Sequence, residues 1–336
     1  MGVTPSRWEP PIGSMSQPSP ESLDDTSHII QISCPIVYSS VMATVDRLND
    51  LLDRFSVRAR QFHTGALCGL RRFDVVPGRG FLHILRAGEL TVLDGPGRSP
   101  RVLTEPSLLF YPRPHEHVFS TAAAGVELAC AALEFDGAED NPLVRALPDV
   151  LTVPIGEVSG LDRALELLFH EIDEFRCGHR HVADRLFEIT LIKLLRWLFD
   201  HPHRVGLPPG LLGGMADPRI ARALAAVHAD PGHPWTLAEL GRTAQMSRSA
   251  FAARFTEVVG SSPLDYLTGW RIMVGQQLLR RGHPVARVAA ELGYTGSSFS
   301  RVFTQRVGCS PRTWLAGADA RPASSGRARP ASVAGR

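Results

Sequence analysis

The 336-residue chain lacks any run of about 18 uncharged apolar residues, so no membrane-spanning helix is expected. Residues 186–199 come nearest, but Glu188, Lys193 and Arg196 interrupt them at helical spacing. That stretch reads instead as a packed amphipathic helix. The N-terminus also lacks a basic start followed by an apolar core, which argues against a secretory signal and for a soluble, cytoplasmic protein. Cysteine is scarce. Cys34, Cys68, Cys130, Cys177 and Cys309 are scattered, odd in number and form no C-x-x-C pair, which argues against a disulfide framework and a structural zinc knuckle. They read as buried or half-buried free thiols.

The length suits two domains, and 44% hydrophobic with 21% charged residues is ordinary for a globular protein. Net charge is +2, unevenly spread. Residues 217–316 hold twelve arginines against six acidic residues, and the last twenty add +3, so residues 1–216 carry −7. A basic third beside an acidic remainder fits a polyanion-binding module joined to a module of another kind. Nearly all the positive charge is arginine, which suits phosphate and guanine recognition.

Residues 1–27, rich in Pro and Ser, and the Ala/Arg/Pro/Gly tail 317–336 read as disordered. Between residues 61 and 135, short apolar runs alternate with turn chemistry such as Pro77-Gly78 and Ala87-Gly88, predicting a small β-barrel or sandwich. Helices are expected over about 161–176 and 181–201. Residues 205–216, rich in Gly and Pro, read as a linker, and everything beyond reads as helix.

The C-terminal third repeats itself at an offset of 48 residues. Phe251, Phe255, Gly260 and Pro263 match Phe299, Phe303, Gly308 and Pro311, and Ser262, Tyr266 and Leu267 match Ser310, Trp314 and Leu315. Agreement of this kind signals a duplicated supersecondary unit. In the first copy Thr236 and Glu239 form a capping box, and Ser247 caps a second helix that Gly260 ends. In the second copy Pro284 opens a helix, Gly293 permits the turn, and Gly308 closes the helix carrying Phe299 and Phe303. Each copy is therefore helix, tight turn, helix, over about 236–258 and 284–307. The paired phenylalanines face inward and small or polar residues face out, as a major-groove reader requires. Residues 263–281 form a connecting helix of about 27 Å, long enough to set two readers in grooves about 34 Å apart.

The segments 217–222, 235–240, 246–251, 263–267, 270–272 and 299–303 together resemble the DNA-binding domain of the AraC/XylS family of transcription regulators. The resemblance covers about 100 residues, 217–316. It implies that the outer faces of both second helices contact double-stranded DNA. Carried over by position, the contacts fall on Arg248, Ser249, Ala252 and Ala253 in the first unit and on Ser297, Ser298, Ser300 and Arg301 in the second. Three features depart from the family's usual pattern. One residue fewer separates Gly293 from Phe299, Gly296 stands where serine is common, and Ala253 replaces an arginine, leaving small side chains suited to thymine methyls or shape readout.

In that family the N-terminal module resembles a cupin, and residues 81–90 with 105–117 look like the two cupin half-motifs. The fold class implied is α+β and multidomain: a cupin-like β-barrel with accessory helices over 44–204, then an all-α domain with two helix-turn-helix units. The resemblance implies a DNA-binding transcription regulator whose first domain senses a small-molecule effector or forms a homodimer, with RNA polymerase as a further partner and no membrane, cofactor or catalytic residue. Activation is the outcome that the resemblance implies, although the residues themselves do not separate activation from repression. His83 and His117 are the candidate effector-pocket residues. Two other readings stand beside it: a metal- or redox-responsive regulator using His83, His117 and Cys68 with help from Glu116, and a cupin-type metal enzyme. The first cupin half-motif keeps only one histidine, which favours pocket-lining over metal ligation.

Overall fold

The computed structural model describes residues 46–319, apart from 96, 97, 175, 205 and 207. The expected disorder at 1–27, and nearly all of that at 317–336, lies outside the described residues. Nine strands and twelve α-helices are described. The strands are β1 (Val57–Leu67), β2 (Leu70–Phe73), β3 (Arg79–Ala87), β4 (Leu90–Leu93), β5 (Arg101–Leu103), β6 (Ser107–Tyr111), β7 (His117–Thr121), β8 (Val126–Phe135) and β9 (Leu151–Pro154). They make two antiparallel sheets, ordered β1-β8-β3-β6-β9 and β2-β7-β4-β5.

Period-two alternation on the larger sheet sorts its side chains into two layers. Phe81, Leu85, Leu109, Tyr111, Leu128 and Cys130 face the smaller sheet. Leu82, Ile84, Leu108, Phe110, Ala129 and Ala131 face the opposite way and join a core shared with the helices. Burial on both faces explains why β3, β6 and β8 read as continuous apolar runs.

The expected closed barrel is not what forms: the two sheets are not joined into one ladder. β1 spends one edge on β8, and its other edge meets a helix rather than a strand. Helices α1 (Asn49–Arg54), α2 (Pro142–Ala146), α3 (Leu161–Glu174) and α4 (His179–Asp200) belong to this half of the chain. Glu188 and Asp184 of α4 accept hydrogen bonds from the backbone N–H groups of Ala59 (3.1 Å) and Gln61 (2.7 Å). Those carboxylates satisfy the edge that closure would have used.

The remaining helices are α5 (Leu211–Ala216), α6 (Pro218–Ala229), α7 (Leu237–Thr243), α8 (Arg248–Val259), α9 (Pro263–Arg280), α10 (Val285–Glu291), α11 (Gly296–Val307) and α12 (Pro311–Asp319). Among the described residues no helix is long and apolar enough to cross a membrane. The segment 205–216, expected as a plain linker, contains α5. Leu211, Leu212 and Met215 are buried in the common core, and the Gly210 N–H donates to the Val258 carbonyl at 3.0 Å. Gly213 and Gly214, which suggested flexibility, lie close to neighbours: an added Cβ would come within 2.7 Å of Val258 and of Leu224.

A polar seam joins the sheet-bearing half to α6 and α9. Arg54 donates to the carbonyls of His228 and Ala229, both at 3.0 Å, at the end of α6. Gln277 on α9 is buried and donates to the Arg54 carbonyl and to Asp136. Arg281 and Arg280 pair with Asp136 (2.9 Å) and Asp140 (2.7 Å). Beneath this seam Phe55 meets Trp270 edge-on, with centroids 5.5 Å apart. Gln277→Ala removes both of its bonds but leaves the Arg54 carbonyl with Arg281, which donates to it at 3.3 Å, so we expect urea unfolding to show a loss of about 1 kcal/mol.

Candidate functional site

The 48-residue repeat is visible in backbone detail as well as in side chains. α7 begins on the Thr236–Glu239 capping box, with Glu239 accepting from the Thr236 N–H at 2.9 Å. The chain then turns through Gln245, whose φ is +55°, and the Met246 N–H returns to the Gly241 carbonyl at 2.8 Å. One period later Gly293 has φ +74°, and the Tyr294 N–H returns to the Ala289 carbonyl at 2.8 Å. Ser247 caps α8 and Thr295 caps α11. Gly260 and Gly308 end the two helices at φ +78° and +88°. The shortened spacing before Phe299 thus leaves both turns the same length. Pro284 is the N-cap of α10 rather than its first helical residue.

Phe251, Phe255, Phe299 and Phe303 are buried and bind each twelve-residue helix to its neighbours. On the opposite faces Arg248, Ser249, Ala253, Ser297 and Arg301 are exposed, while Ala252, Ser298 and Ser300 are half-buried. The Ser300 hydroxyl donates to the Gly296 carbonyl at 3.0 Å, a bond along its own helix. Neighbouring arginines differ in their commitments. Arg254 pairs with Asp217 (2.8 Å) and Glu257 (2.9 Å), and Arg306 with Asp265. Among the described residues Arg248 and Arg301 make no ion pair, nor do Arg242 on α7 and Arg287 on α10. The two latter were not singled out from the sequence; their exposure depends on the three-dimensional packing.

In the first half of the chain, β3 and β7 bring His83 and His117 together, both fully buried, with Nε2 atoms 2.9 Å apart. His117 Nδ1 lies 3.0 Å from the His115 carbonyl, which can only accept. His117 Nδ1 therefore carries the proton, His83 Nε2–H donates to His117 Nε2, and His83 Nδ1 is left as an acceptor with no partner among the described residues. Phe73, Phe81, Tyr111 and Phe119 surround the pair, Tyr111 stacking on His117 with centroids 4.0 Å apart. Asp94 accepts from Tyr111 at 2.7 Å and pairs with Arg101 at 2.5 Å.

Burial holds His117 down at about 4 and pushes His83 well below its ordinary value, with the neighbouring histidine adding to the effect. In the second half, His228 packs on Trp270 and hydrogen-bonds Tyr266 at 2.7 Å. Burial, helped by Arg54, lowers it to about 3. All three imidazoles are neutral when folded and gain protons more readily when unfolded. Stability is therefore present above about pH 6.5 and is lost as pH falls from there toward 4. Each histidine contributes a slope of at most about 1.4 kcal/mol per pH unit. Urea midpoints measured from pH 7 down to pH 4 should fall steeply, and His228→Gln should flatten the curve.

Cys68 is not brought to the histidines. It follows Leu67, which pairs with Val126, whereas His83 pairs with Cys130; four residues along β8 is about 13 Å. Glu116 faces outward to Arg72 at 2.9 Å. Among the described residues no three His, Cys, Asp or Glu side chains are grouped to hold a metal ion. The metal- and redox-sensing reading of His83, His117 and Cys68, and with it the metal enzyme, is not favoured by this geometry.

Two family models match: Cupin over residues 46–200 and Helix-turn-helix domain over 240–317. A protein of Streptomyces antibioticus named as an AraC-like transcription regulator is 39% identical over 174 residues, covering 50% of this chain and 56% of that protein. The chain carries a cupin domain followed by a helix-turn-helix domain, and it is similar to AraC-like transcription regulators. AlkR, an HTH-type transcriptional regulator of Acinetobacter baylyi, is 31% identical over 51% of this chain and 57% of its own length. MtrA, an HTH-type transcriptional regulator of Neisseria gonorrhoeae, is 25% identical over 80% of this chain and 97% of its own. The chain spans about half the length of the first AraC-like relatives it matches. The DNA-binding domain of AdpA, solved in complex with a target DNA, aligns with 30% of this chain at 29% identity and a TM-score of 0.29.

Proposed function

We propose that this chain is a sequence-specific DNA-binding transcription regulator of the AraC family, working in the cytoplasm and not as an enzyme. The observation that carries the reading is the duplicated short helix, turn and twelve-residue helix, set at the two ends of α9 with both outer faces exposed. In this reading both copies are helix-turn-helix units, forming a DNA-binding domain over 217–316. α8 and α11 lie in successive major grooves. Arg248 and Arg301, free of ion pairs, are suited to guanine edges or phosphates. Ser249, Ala252, Ala253, Ser297, Ser298 and Ser300 supply small contacts to bases and thymine methyls. Arg242 and Arg287 are suited to phosphates beside the grooves.

The cupin domain, about 44–204, senses a small molecule or pairs two copies, and its polar seam with α9 carries the state of that domain to the connector. Contact with RNA polymerase belongs to the same reading. Gel retardation of genomic fragments by the full chain tests it. Retardation that weakens steeply with salt, and weakens further in Arg248→Ala with Arg301→Ala, is the expected result. Absent or salt-insensitive binding would refute the reading.

A further inference from the structure

A groove of about 410 Å³ opens beside the two-sheet layer, away from the reading helices. Its floor includes Phe62, Phe73 and Phe81, and its walls carry Arg60, Arg71, Arg72, Arg79 and Arg180 against Asp74 and Glu134. Arg72 pairs with Asp74 and Glu116, and Arg79 pairs with Glu134 at 3.2 Å. Arg60, Arg71 and Arg180 make no ion pair among the described residues, leaving three uncompensated cations over an aromatic floor.

Phe62 adds an exposed aromatic ring to this groove. It lies in the interior of β1, yet its side is 45% exposed while its neighbours Phe73 and Phe81 are buried. Those two rings meet it edge-to-face at 6.2 and 6.0 Å. An exposed ring held in place by two buried ones presents an apolar surface at little ordering cost.

We propose that this groove is the effector site and that its ligand is an aromatic carboxylate small enough to fill it. The inference rests on the regulator reading for its purpose but not for its chemistry. The ring of the ligand packs on Phe62, and its carboxylate bridges the forked donors of Arg60 and Arg71, with Arg180 closing from α4. A neutral ligand would leave the three cations uncompensated, and a long polyanion would not fit a concave site of this size. Arg180 stands in the first turn of α4, whose last turns pack on α5, and α5 packs on the reading helix α8. A ligand that draws Arg180 toward β1 therefore acts on a continuous set of packed helices reaching the DNA-binding domain.

The test uses the full chain and calorimetry with 2-naphthoate, 2-naphthyl phosphate and the neutral 2-naphthalenemethanol. Naphthoate should bind, the alcohol should bind about tenfold more weakly or worse, and R60A/R71A and Phe62→Ala should each lose about tenfold in affinity. R180E, on an exposed helix position, provides the same readout if the double variant does not fold. No heat with naphthoate at about 1 mM, equal binding of the alcohol, or unchanged binding in the variants overturns the proposal. Naphthyl phosphate binding about tenfold more tightly than naphthoate overturns the carboxylate assignment in favour of a phosphate ester. Gel retardation is read separately: naphthoate binding without DNA binding sinks the regulator reading and leaves the site standing.

Discussion

Phe299→Ala is expected to lower stability by about 3–5 kcal/mol, and Phe251→Ala by a similar amount, measured by urea unfolding. Both rings are fully buried. Phe299 lies against Gly275 of α9, so closely that a Cβ added to that glycine would be 3.0 Å from the ring. It also meets Phe303 at 5.6 Å and Tyr294 at 6.2 Å. Removing it opens a cavity where the connector and α11 lock together, and the backbone cannot collapse into it without moving α11. Ser297→Ala, on the exposed face of the same helix, should change stability by no more than about 0.5 kcal/mol. A small loss at Phe299 would mean that α11 is held by something other than its aromatic stripe.

Gly293→Val should be as damaging, at about 3–5 kcal/mol, for a different reason. Gly293 combines a φ of +74° with backbone contact: an added Cβ would sit 2.3 Å from the Gly232 carbonyl oxygen. Gly232 is equally constrained, since its own Cβ would be 2.4 Å from the Glu291 carbonyl oxygen. The loop after α6 and the turn before α11 therefore touch backbone to backbone. Asparagine tolerates the left-handed region but still carries a Cβ, so Gly293→Asn should recover little. At the equivalent Gln245, where φ is +55°, glycine should be neutral or stabilising. Thermal unfolding of the three variants separates the steric cause from the conformational one; equal midpoints for Gly293→Val and wild type would contradict it.

Much of the C-terminal architecture was legible because its determinants are local and recur. Capping by Thr236 and Ser247, termination by Gly260 and Gly308, and the phenylalanine pairs at four-residue spacing all act within one or two turns of chain. Thr295 as the cap of α11 was readable by the same 48-residue offset from Ser247. What stayed hidden depends on contacts between distant segments. The Gly232–Gly293 approach, the Gln277–Arg54–Asp136 seam and the burial of α5 have no periodic signature. Strand content was legible in turn residues, but closure was not: whether β1 meets a strand or the carboxylates of α4 depends on Asp184 and Glu188, more than 100 residues away. His83 and His117 could be paired from the half-motifs, whereas the groove of Phe62, Arg71 and Arg180 draws on three separate elements.

Hydroxyl-radical footprinting of the intact protein on a DNA fragment it retards measures the central claim most directly. Two reading helices on one rigid connector should protect two patches on one face of the duplex, about 10 base pairs apart, with Arg301→Ala erasing one patch and Arg248→Ala weakening the other. A single short patch, or two patches on opposite faces, would contradict it.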